Sequence, residues 1–191
     1  MEEEVIKSAF ELAMERISGM PELTPEEKAE QKEKEYRPLG TALAVKYMDG
    51  TLSDTQLPVE LNRYNDIQQP IVRRALISSL CSEIRFEKNP GNARRAFNGL
   101  AQIAPEKRDL IEECKESYLK IVGEFEAAKE KGFREFGGVA NERMKALGIS
   151  GSAVRPNLNE NEHWKQELTR IQQSFEPELE HLRNTLMQKL A

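Results

Sequence analysis

Residues that favour strands are scarce in this chain of 191 residues, which holds seven Val and six Thr. β-branched side chains fit the pleated, half-buried surface of a sheet, so their shortage tells against one. Asp is almost missing: of the 33 acids only 4 are Asp, leaving 29 Glu. Glu is a good helix former, whereas Asp favours caps and turns. Aromatic residues make up 6% of the chain. Together these shortages exclude a sandwich, a barrel or a parallel α/β sheet, and point to elongated helices with much solvated surface.

Long apolar runs are also absent, and none reaches the roughly 18 residues that a membrane helix requires. The opening Met1-Glu2-Glu3-Glu4 has no basic region ahead of an apolar core of the kind a secretory signal carries. The two cysteines, Cys81 and Cys114, both fall on the apolar side of helical patterns, where a free thiol packs as a small hydrophobe. A cytoplasmic protein with no membrane segment is expected.

The usual chemical signatures are missing as well. His163 and His181 are the only histidines. They would stand about 27 Å apart on a straight helix, too far to share a metal, and neither has a Cys or His at ligand spacing. There is no phosphate-cradling glycine loop, no dinucleotide fingerprint, and no Ser, His and Asp set that helical spacing would bring together. No catalytic residue, metal or cofactor is therefore expected. An enzyme remains an option only if the fold gathers some of the many Glu residues.

What the chain does contain is charge, 32% of its residues, beside enough Leu, Ile, Val and Phe for a modest core. The sign is uneven: residues 1–35 carry 11 acids and 5 bases, whereas residues 36–104 carry 6 acids and 9 bases. Residues 3–18 set Val5, Ile6, Ala9, Phe10, Ala13 and Ile17 on one helical stripe. Thr24, Pro25 and Glu27 then form a capping box ahead of a stretch with almost no apolar face, which reads either as a solvated connecting helix or as a segment that orders only in part. Pro38 is expected to interrupt it, and Leu39, Ala42, Leu43 and Tyr47 to begin a new inward stripe.

Short helices follow between Pro and Gly punctuation. One is expected within 53–69. The next, from Pro70 toward Asn89, turns Ile71, Ala75, Leu76, Leu80 and Ile84 inward, and a shorter one does so with Ala93, Phe97, Leu100 and Ile103. Beyond Pro105, Ile111, Cys114, Tyr118, Ile121, Phe125, Ala128 and Gly132 alternate steps of three and four, the spacing of a coiled-coil seam, up to a stop at Gly137-Gly138. A last stripe joins Trp164, Leu168, Ile171, Phe175, Leu179, Leu182, Leu186 and Leu190, with Pro177 expected to kink or split its helix.

The all-α architecture expected is thus a small helical bundle with a long antiparallel helical hairpin. Its parts are an N-terminal helix and polar connector over 1–35, a short-helix bundle over 36–104 and the hairpin over 105–191. Gly148, within the roughly 20 residues that join the two long helices, reads as an ordinary helix C-cap. The string Leu147-Gly148-Ile149-Ser150 before Val154 has the look of a helix-turn-helix turn, but Pro156 would break the second helix, so 149–158 reads as the exposed connection.

Arg73-Arg74 and Arg94-Arg95 lie on two helices of the basic segment and are the candidate partner-binding residues. If the helices are neighbours, four guanidinium groups could face an acidic partner; nucleic acid is disfavoured because the net field is weak. Ser8 to Glu15, the helix from Leu76 to Phe86, and the charged helix leading to Gly148-Ile149-Ser150-Gly151-Ser152-Ala153-Val154 are similar to small helical bacterial proteins of unknown function. That resemblance implies an all-helical fold in a bacterial cytoplasm and supplies no functional residue. The function expected is a non-enzymatic interaction or assembly protein with a protein partner or a second copy. A nucleic-acid-associated regulator using the Arg pairs is the alternative.

Overall fold

The computed structural model describes residues 8, 24–86, 91–148 and 161–190. Among them there are six α-helices and no strand: α1 (Pro25–Met48), α2 (Gln56–Leu61), α3 (Gln69–Ser82), α4 (Gly91–Ile103), α5 (Arg108–Ala146) and α6 (Glu162–Leu190). A single 3-10 turn, Pro105–Lys107, precedes α5. The fold is all-α, and no helix among the described residues is long and apolar enough to cross a membrane. The first apolar stripe, Val5 to Ile17, lies outside the described residues, as do residues 87–90 and the connection over 149–160.

Contacts divide the chain into two compact units, Met1–Glu35 and Tyr36–Ala191. In the first unit the capping box forms as its residues dictate. The Thr24 amide donates to Glu27 Oε2 at 2.7 Å and the Glu27 amide donates back to Thr24 Oγ1 at 3.2 Å. Two otherwise orphaned helix donors are thereby satisfied. The rest of that stretch is polar and mostly exposed, with Lys34 beside Glu30 at 2.9 Å, the spacing of successive helix turns.

In the second unit one buried cluster joins the helices. It runs from Leu43 and Tyr47 of α1 through Leu57, Leu76, Leu80, Phe97 and Leu100 to Ile111 and Tyr118 of α5 and Leu179, Leu182 and Leu186 of α6. The two long stripes are buried over part of their length, at Ile111, Cys114, Tyr118, Ile121 and Phe125 of α5 and at Trp164, Leu179, Leu182, Leu186 and Leu190 of α6, whereas Ala128, Gly132, Leu168, Ile171 and Phe175 are half-buried. Phe175 meets Phe125 edge-on at 6.0 Å between ring centroids. Trp164 meets Phe133 at 5.5 Å and Phe136 at 5.7 Å. Residues earlier in α6 therefore meet residues later in α5. Gly132 sits where a Cβ would come within 3.2 Å of both Ile171 and Trp164.

Several expected breaks do not occur. α1 runs through Pro38, and α6 is not split at Pro177. Each proline removes one N–H, from the carbonyl of Lys34 and of Gln173 respectively, but both prolines and both of those residues face solvent, where water can hydrate the acceptor. α5 continues past Gly137-Gly138 to Ala146, since a glycine inside a helix costs only about 1 kcal/mol relative to Ala. It ends instead at Gly148, whose φ of 77° is the left-handed conformation that a glycine cap adopts most readily. In the other direction, α3 stops at Ser82, well before Asn89, and Ile84 is buried from the turn that follows.

The inward stripe of α1 differs by one position from the expected one. Gly40, Leu43, Ala44 and Tyr47 are buried, whereas Leu39 and Ala42 are exposed. The reason is close approach: a Cβ on Gly40 would lie 2.3 Å from the Val72 carbonyl oxygen and 2.7 Å from Ala75 Cβ. Only glycine lets α1 sit that near α3, so Gly40 takes the contact and Leu39 turns away.

Candidate functional site

The candidate arginines occupy quite different surroundings. α3 and α4 pack against each other, as a shared site would require. Arg73, however, is ion-paired with Glu106 of the 3-10 turn at 3.2 Å, and its Nε is buried with no hydrogen-bond partner among the described residues. Arg74 and Arg94 are exposed.

Arg95 holds the end of α1. Its Nε donates to the Tyr47 carbonyl at 2.6 Å and its Nη2 to the Leu52 carbonyl at 3.1 Å, with the guanidinium 4.8 Å from the centre of the Tyr47 ring. The Tyr47 hydroxyl donates to Asp54 Oδ1 at 2.7 Å, with the Arg95 carbonyl at 3.2 Å as a second acceptor. A cation there meets the partial negative charge of a helix C-terminus and adds a second donor to the Tyr47 carbonyl, which also accepts from the Gly50 amide at 3.2 Å. The turn beyond the helix includes Gly50 at φ 91°. Burial, reinforced by the bond to Asp54, pushes the Tyr47 phenol well above its usual range. This knot spans 48 positions in sequence, so nothing in local spacing announces it; the charge pattern finds Arg95 but not its task.

The thiols are buried packing groups. Cys81 and Cys114 are free and both belong to the core cluster. Burial pushes the Cys81 thiol up to about 12 and raises Cys114 as well, which suppresses the thiolate that nucleophilic or metal chemistry would use. Because the folded-state value lies above the unfolded one near 9, Cys81 favours the fold fully below that pH and progressively less as pH rises toward 12. Tyr47 acts in the same sense from about pH 10 upward. Stability, read from the urea midpoint, is therefore expected to fall between pH 9 and pH 11 under reducing conditions, by at most about 1.4 kcal/mol per pH unit for each such proton. Cys81→Ala should flatten that slope; an unchanged slope would contradict the burial-driven shift.

Among the described residues no group of three or more His, Cys, Asp and Glu is placed to hold a metal ion. Two surface grooves, each of about 520 Å³, lie along the long helices. One has Ile121, Leu182, Pro177 and Cys114 among its walls, with Ser117, Glu178, His181 and Thr185 beside them. Its hydroxyls are already engaged: Ser117 Oγ donates to the Glu113 carbonyl and Thr185 Oγ1 to the His181 carbonyl, both at 2.9 Å. The other groove includes Phe136, Val139, Ala140, Glu135, Arg143 and His163, so its two formal charges offset.

A more pronounced feature is the outer face of α1. Pro38, Leu39, Ala42 and Val45 all face solvent, with Leu39 37% and Val45 58% exposed. On a helix of 3.6 residues per turn Pro38, Ala42 and Val45 share the side opposite Gly40, Ala44 and Tyr47, and Leu39 stands at the edge of that side, next to the buried Leu43. The sequence offered the apolar residues but not their direction, because Leu39 and Ala42 fit an inward stripe equally well. No protein-family model, no curated protein and no solved structure matches the chain.

Proposed function

We propose that the chain is a non-enzymatic helical interaction protein of the bacterial cytoplasm that buries the outer face of α1 against a second copy of itself or the helix of a protein partner. The observation that carries this reading is the uncovered run Pro38, Leu39, Ala42 and Val45 on a helix already anchored through its opposite side. Anchored apolar side chains cost little ordering entropy on binding, because their backbone is fixed beforehand. In this reading α5 and α6 form an antiparallel, coiled-coil-like hairpin that satisfies its own seam and serves as scaffold. The intramolecular bonds of Arg73 and Arg95 weigh against the alternative in which the four arginines grip nucleic acid, since both guanidinium groups are engaged within the fold.

Light scattering over a range of concentrations tests the proposal. The full chain is expected to pass from monomer to dimer, and the Leu39→Glu, Val45→Glu double variant to remain monomeric. Val45 is 58% exposed and Leu39 37%, so the variant should stay folded and lose about 0.5–1.5 kcal/mol of stability, chiefly at Leu39. A monomer at every concentration for the parent chain would remove self-association, and equal dimerisation of the two proteins would remove this face.

A further inference from the structure

We draw no further inference here: the strongest candidate, the groove between α5 and α6 walled by Ile121, Pro177, Leu182 and Cys114 with His181 at its edge, carries nothing because nothing in the structure shows what covers it.

Discussion

Gly40→Ala is expected to destabilise the protein by about 1–3 kcal/mol, although the same change in most helices is stabilising. Alanine ordinarily gains about 1 kcal/mol over glycine inside a helix by reducing backbone entropy. At Gly40 the new Cβ would meet the Val72 carbonyl oxygen at 2.3 Å and the Leu76 amide nitrogen at 2.9 Å. Both are backbone atoms of α3 and cannot swing aside like the end of a flexible side chain. The helices must part, and their separation loosens Leu43, Ala44 and Tyr47, which are buried on the same side of α1. Gly123 supplies the control, since a Cβ there meets nothing within 4 Å. Gly123→Ala should therefore stabilise by about 0.5–1 kcal/mol, and urea denaturation followed by circular dichroism at 222 nm reads both signs. Two stabilising substitutions would show that α1 and α3 are not in close contact.

Leu186→Ala carries the other large effect, a loss of about 2–5 kcal/mol. Leu186 is fully buried near the end of α6, in the cluster that includes Leu76 and Leu80 of α3 and Phe97 and Leu100 of α4. Truncation of a fully buried leucine removes its packing contacts and leaves a cavity that rigid neighbours fill only in part. Leu119, on α5 but 59% exposed, provides the contrast: Leu119→Ala should stay within about 0.5 kcal/mol. If the two variants unfold at the same urea concentration, α6 does not contribute to the shared core.

The long stripes of α5 and α6 were legible because every third or fourth residue is apolar over many turns, and such a pattern has only one helical face to bury. Local breakers were read too strongly. Pro38, Pro177 and the Gly137-Gly138 pair each weaken a helix by a few kcal/mol at most, and burial of residues such as Tyr47 and Leu179 elsewhere along the same helices outweighs that. The orientation of α1 was not legible, because the choice between Leu39 and Gly40 is made by the α3 backbone, about 30 positions away. The end of α1 was hidden for the same reason: Arg95 and Tyr47 are far apart in sequence, and a charged residue on a helix reads as solvated until its acceptors are known. Within the candidate site, composition supplied the apolar residues of α1 and packing supplied the direction they face.

The claim that this outer face is where the protein associates is tested most directly by a spin label at its centre. Ala42→Cys places a reactive thiol on the exposed face, while Cys81 and Cys114 are buried. In a dimer joined through α1, with helix axes about 8–10 Å apart, pulsed dipolar spectroscopy should give an intermolecular distance below about 30 Å. That distance should vanish in the Leu39→Glu, Val45→Glu background. A dimer whose labels show no dipolar coupling in this range, or the same distance in both backgrounds, would contradict the account.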